Sequence, residues 1–454
     1  MWDHIDINIK SMLKYFLLIA SLCGGASAAI YAQDSLSAPL KWDLQTCLDY
    51  AKKNNITIKN LRWDARSSEQ DLLQSRAAKL PNLTGTLSQS VVNSNNANPV
   101  VGGFQTQAKA SGNYGLSSNW TIFNGGYLNN DVKQKGILLE SSNLSVQQAE
   151  NDITLQITQA YLNILLQKEN IVYLKELVNT SQSQLALGKQ RFDAGSLARK
   201  DYLQLEATLA NDQYNLTTAM NAHRTDLITL KQILQLPSSV SFDIVQPDTL
   251  VTNEAVVALP EAENAAANTR PEVKIGELGV QSAQVGLEKS RAGALPTVSL
   301  GAGLSSGYSD NNDLKYFSQI NNNFYQRLGV TVSVPIFANR VNKSNVERSK
   351  IQIEQAKLSL QGTKTTLDQA VEQAYIAVLN AQAQLTSAES QWKINQESYK
   401  ITNEQLRLGA LNTIDLLTQK NLYVQALQAY VQAKYNNILN KKIYEFYTGV
   451  PVTL

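Results

Sequence analysis

Apolar residues recur along this chain with two different periods. From Trp42 to Lys79 they fall three or four apart, at Leu44, Leu48, Ala51, Leu61, Ala65 and Leu72, the spacing of one helical face. Pro81 ends that run, and the period drops to two. Leu83, Leu87 and Val91 are set among Thr84, Thr86, Ser88 and Ser90, while Tyr114, Leu116, Trp120 and Ile122 sit among Asn113, Ser117, Asn119 and Thr121. Further on, Val298, Leu300, Ala302 and Leu304 alternate with Thr297, Ser299 and Gly303, and Leu328, Val330, Val332 and Val334 with Arg327, Gly329, Thr331 and Ser333. This alternation predicts four strands of roughly ten residues, long enough to cross a bilayer when tilted. Asn- and Gly-rich loops, 93–112 and 305–323, join them in pairs. Periodicity alone also fits half-buried strands of a soluble sheet.

After Phe123 the helical period returns and persists. Ile153, Ile157, Ala160, Ile164, Ile171, Leu174 and Val178 mark one stripe, and Val371, Ala374, Val378, Ala381, Leu385, Ala388 and Trp392 mark another. No proline occurs between Pro99 and Pro237 or between Pro335 and Pro451. A mid-helix proline costs about 3 kcal/mol, so these spans permit uninterrupted helices. Residues 129–191 alone would reach ~95 Å at the usual helical rise, which predicts long helices packed side by side as a coiled coil.

The two halves repeat. Gly195 and Gly409 are 214 residues apart, as are Asp201 and Asp415, Phe123 and Phe337, Ala160-Tyr161 and Ala374-Tyr375, and Pro237 and Pro451. Upstream the offset is 215, at Leu80-Pro81 and Leu295-Pro296. The chain therefore divides into a first repeat (33–236), an inter-repeat segment expected to girdle the helices (237–270) and a second repeat (271–454). Each repeat holds a helix, two strands and a long helical hairpin turned at Gly195 or Gly409, since glycine suits the left-handed residue just past a helix end. Membrane strands must close into a barrel, and four strands enclose nothing. Copies of the chain are thus expected to pool their strands around a water-filled conduit continued by the helices.

Composition removes other classes. A formal net charge of +2 gives no field for nucleic acid. Two cysteines and two histidines support neither a zinc cluster nor a disulfide framework, so no metal or other cofactor is expected. His223 reads as a solvated helix residue. Lys14, the apolar run 15–22 and small residues up to Ala32 read as a removed secretory segment, 1–32, with Cys23 an alternative lipidation site. Asp201 and Asp415 are the one pair available for acid–base chemistry, and no nucleophile or metal cluster accompanies them, so no catalytic residue is assigned.

The quoted motifs resemble the TolC-like outer-membrane efflux proteins: Leu80-Pro81-Asn82-Leu83 opening the first strand, Trp120 to Gly126 leaving the second, Val334-Pro335-Ile336-Phe337 leaving the fourth, and two glycine tips one repeat apart. The resemblance implies a mainly helical fold with a membrane β-barrel portion: a homotrimer with a twelve-stranded barrel in outer-membrane lipid and a twelve-helix periplasmic barrel. It also implies an efflux exit duct fed by a periplasmic adaptor and an inner-membrane transporter of the resistance-nodulation-division or ABC type. A type I secretion duct and a pore-free secreted scaffold are the alternatives. By the same resemblance Asp415 matches a pore-ring aspartate, and Asp201 an aspartate tying inner to outer helix pairs. Thr418, Leu406 and Leu411 stand where some members carry a second ring aspartate and a Tyr/Arg latch, so apolar contacts are expected to hold the closed end. Ala194, Gly195, Ser196, Leu197, Leu408, Gly409 and Ala410 would meet the adaptor. Independently of family, Asn412 as helix cap puts Asp415 where a carboxylate caps the same helix.

Overall fold

The computed structural model describes residues 40–97, 104–247, 256–310 and 314–452, with side chains undescribed at 94–97 and 104–107. The secretory segment and Cys23 lie outside the described residues. Four strands, β2 (Thr84–Ala97), β3 (Phe104–Asn124), β5 (Thr297–Ser309) and β6 (Tyr325–Ser333), form one antiparallel sheet in the order β2-β3-β5-β6. They run 14, 21, 13 and 9 residues, so three exceed the ten expected. The β2–β3 ladder continues to the pair Ala97–Phe104, taking in Asn- and Gly-rich sequence that resembles loop because it has no apolar alternation.

Register sorts the side chains into two faces. Val332, Val298 and Phe123 form one cross-strand row; Val330, Leu300 and Trp120 form the next; Leu304 and Leu116 follow. A bulge between Thr121 and Phe123 turns Phe123 onto this apolar face. The opposite face carries Thr331, Ser299 and Thr121, then Gly329, Gly301 and Asn119, then Thr86 and Gly115. Leu83, Leu87, Leu328 and Val330 are each well over half exposed, so the apolar face is bare in a single chain.

Helices make up the rest: α1 (Leu44–Asn54), α2 (Ile56–Ala77), α3 (Tyr127–Asp193), α4 (Arg199–Leu234), α5 (Leu259–Thr269), α6 (Pro271–Ala292), α7 (Tyr316–Asn322), α8 (Val341–Arg407) and α9 (Thr413–Tyr447). The helical run expected from Trp42 starts as a strand and breaks at Asn55. That side chain caps the next helix by accepting from the N–H groups of Thr57 and Ile58. α3 and α8 have 67 residues each, or ~100 Å. α2 and then α4 lie along α3, while α6 and α9 pack on α8. Near the sheet the helices run α2, α3, α6, α8 in contact order; toward the hairpin turns they run α4, α3, α9, α8.

A second, parallel pair of strands joins β1 (Leu40–Trp42) of the first repeat to β4 (Phe242–Ile244) of the inter-repeat segment. Its side chains meet α1, α3, α4 and α9 in the largest core, built on Cys47, Ile157, Tyr161, Ile164, Leu230, Val431 and Tyr435. Lys168 pins β4 by donating to Ile244 O and pairing with Asp243. The helices are therefore held together at their waist.

The backbone repeats as the sequence does. Eight described residues have positive φ, and they form four pairs 214 apart: Gly125/Asn339, Gly126/Arg340, Gly195/Gly409 and Gln235/Gly449.

Candidate functional site

The two hairpin turns have the same hydrogen bonds. Ser196 N–H donates to Arg191 O and Gly195 N–H to Phe192 O; Ala410 N–H donates to Gln405 O and Gly409 N–H to Leu406 O. This pairing closes a helix around a left-handed residue, and Gly195 and Gly409 supply it at φ 73° and 76°. Ala194, Gly195, Ser196, Leu408, Gly409 and Ala410 are exposed, and Leu197 is half-buried.

Asp415 is the third residue of α9 and bonds the helix cap, Asn412. Its N–H donates to Asn412 Oδ1 at 2.9 Å, and its carboxylate accepts from Asn412 Nδ2 at 2.8 Å. The carboxylate is otherwise exposed, as is Thr418, whose hydroxyl donates to Ile414 O. Asp201 is half-buried in the first turn of α4, and no described side chain bonds its carboxylate within the protomer.

Leu406 and Leu411 are half-buried, and Leu406 lines a cleft between the hairpins with Leu187, Leu197 and Leu205. Polar bonds also join the two hairpins within one protomer. Arg191 donates to the α8 end carbonyls of Leu406 and Arg407, at 3.3 and 3.1 Å, where the helix dipole favours a cation. One helical turn or two above, Gln184 donates to Tyr399 and Asn403. Deeper, Lys420 of α9 donates to Asp212 of α4 and to Ser181 of α3, and Ser181 also donates to Asp212. Lys420 is 2% exposed and Asp212 4%. Burial lowers the Lys420 pKa, opposed by the bond to Asp212. Nearer the waist, Glu169 accepts from Lys434 and from Tyr435. Between these ties lies a cleft of about 390 Å³ lined by Tyr173, Leu177, Tyr399 and Tyr423.

The sequence reading missed the Lys420–Asp212–Ser181 group, although a signal was present. Lys420 is seven residues from both Thr413 and Leu427, and Asp212 is seven from Leu205; all three of those neighbours are buried. Charges on the buried heptad stripe mark a tie between helices. His223 is also corrected: it is half-buried, its Nε2 has no hydrogen-bond partner, and burial followed by the nearby Lys168 charge lowers its pKa.

The sequence profile of the outer membrane efflux proteins matches residues 47–235 and 263–440, which is most of the chain. The chain belongs to that family. Outer membrane efflux protein BepC of Brucella suis is 22% identical over 320 residues, covering 69% of this chain and 65% of BepC. Outer membrane protein TolC of Escherichia coli is 23% identical over 227 residues, 44% of this chain and 45% of TolC. The chain thus spans less than two thirds of either relative in these matches. Among solved structures, the transmembrane channel CusC superposes with a TM-score of 0.78 at 16% identity, covering 90% of this chain and 92% of CusC. The fold is therefore that of the solved outer-membrane channels, and the family consists of channels, not enzymes. No helix among the described residues is long and apolar enough to cross a membrane.

Proposed function

We propose that three copies close into one duct that carries solutes from periplasm to exterior as the exit of a tripartite efflux pump. The observation that carries this reading is the set of free edges. The sheet ends on β2 and β6, the upper helices on α2 and α8, and the lower helices on α4 and α8. At each level one edge comes from the first repeat and the other from the second, so β6 and α8 of one copy can meet β2, α2 and α4 of the next. Exposed apolar stripes lie on those edges. On α8 they are Ile351, Leu358, Ile376, Ile394 and Ile401, spaced by whole numbers of turns; on α4, Leu203, Tyr214 and Ile228; on α2, Trp63. Closing the ring would bury them and pair both strand edges.

The exposed glycine turns are the surface a periplasmic adaptor would grip, with an inner-membrane transporter of the resistance-nodulation-division or ABC type behind it. The exposed Asp415 carboxylates would attract cations at the tunnel's narrow end while still accepting from the Asn412 amide. The test is conductance in planar bilayers: native protein conducts with a cation preference that Asp415→Asn reduces. Unchanged conductance and selectivity in that variant would remove the ring, and failure of native protein to conduct would remove the duct.

A further inference from the structure

Among the described residues of the four-stranded sheet there are only two charges, Lys109 and Arg327, both cationic. Register puts both on the polar face. Arg327 pairs with Gly303, Gly303 with Ser117, and Ser117 with Thr84. Lys109 follows the same parity along β3 from Ser117, Asn113 and Ser111. The apolar rows Leu328–Ala302 and Val330–Leu300–Trp120 lie beside the Arg327 row, so this arginine sits within the depth of the apolar band. On a lipid-facing surface near mid-bilayer an arginine is strongly destabilising; facing water it keeps its hydration. Gly301, Gly303 and Gly329 leave the surface around Arg327 bare, and no described side chain bonds its guanidinium.

We propose that Arg327 and Lys109 set the ion preference of the barrel section: three copies of each ring its lumen and favour anionic solutes, opposite in sign to the Asp415 tips. This rests on the duct reading above. About eight residues of β3 separate the two rows, or ~27 Å along the strand, beyond the ~8 Å Debye length at physiological salt, so the rings act separately. Three unit charges about 15 Å from the axis of a water-filled lumen raise the axial anion concentration about two- to fourfold at low salt.

Reversal potentials across a KCl gradient near 10 mM, measured on full-length protein in planar bilayers, test this. In an Asp415→Asn background, Arg327→Gln should lower the chloride-to-potassium permeability ratio about twofold, and Arg327→Glu should lower it further. Lys109→Gln should act in the same direction. Conducting channels whose ratio is the same for Arg327, Gln and Glu would overturn the proposal. Native protein that fails to conduct would overturn the duct reading instead. A second readout does not depend on conductance: Arg327→Cys in outer-membrane preparations should react with membrane-impermeant, water-soluble thiol reagents, anionic and cationic alike. No reaction with either reagent would place position 327 outside the lumen and sink the assignment.

Discussion

Lys420 donates to Asp212 across the boundary between the two hairpins, and almost no solvent reaches either side chain. Breaking a buried pair by removing one partner strands the other charge, at a cost of about 3–5 kcal/mol. Lys420→Met alone should therefore loosen the stem markedly, seen as a lower thermal midpoint in detergent. The double variant Lys420→Met with Asp212→Leu should recover most of that loss, because replacing both charges by apolar groups is often neutral or better. A double variant as weak as the single would mean the pair contributes through something other than its buried charges.

At the joints where strands become long helices, the repeat uses Gly125-Gly126 in one copy and Asn339-Arg340 in the other, all at positive φ. An L side chain there costs about 1–2 kcal/mol, partly offset by the unfolded-state freedom glycine gains. Arg340→Gly should raise stability by a net ~0.5–1 kcal/mol. Gly126→Arg should lose a similar amount, purely conformational since a Cβ there meets nothing within 4 Å. Gly125→Asn should cost more, because its Cβ would meet Ala292 O at 2.8 Å. Thermal midpoints of the three variants give the ranking, and a destabilised Arg340→Gly would contradict it.

His223 gives the waist a pH response. Its folded pKa lies below the unfolded value of about 6.5, so the unfolded chain binds more protons in that interval. Its contribution is intact above pH ~6.5 and is lost as pH falls through that value toward the folded pKa. His223→Gln should flatten the fall in thermal midpoint between about pH 7 and pH 5. An unchanged pH profile would show that the histidine is protonated equally in both states.

The glycine turns separate assembly from function. Proline fixes φ near −65° and cannot take the 73° or 76° that Gly195 and Gly409 hold. Gly409→Pro should leave heat-resistant trimers in outer-membrane fractions but abolish efflux complementation. Loss of the trimer itself would count against an adaptor-docking role for the turns.

Much of this was readable before any coordinates. Long proline-free stripes at 153–178 and 371–392 correspond to α3 and α8, and alternation around Val298 and Val330 gave the strand faces. What escaped has physical causes. β2 and β3 extend through Asn, Ser and Gln because backbone pairing needs no apolar alternation once a ladder is running. The Asn55 break in the first helical run is a single capping amide inside an otherwise helical pattern. Lys420 and Asp212 went unremarked because each finds its partner on a helix about 200 residues away. Arg191 joins the two hairpins through backbone carbonyls, which have no side-chain signature.

Cysteine-pair crosslinking between the free strand edges tests the shared duct most directly. With Thr86→Cys on β2 and single cysteines scanned along residues 327–331 of β6, oxidation in intact outer membranes should give a covalent ladder that stops at three chains for one register. Crosslinks confined to single chains, or a ladder that stops at two or runs past three, would contradict it.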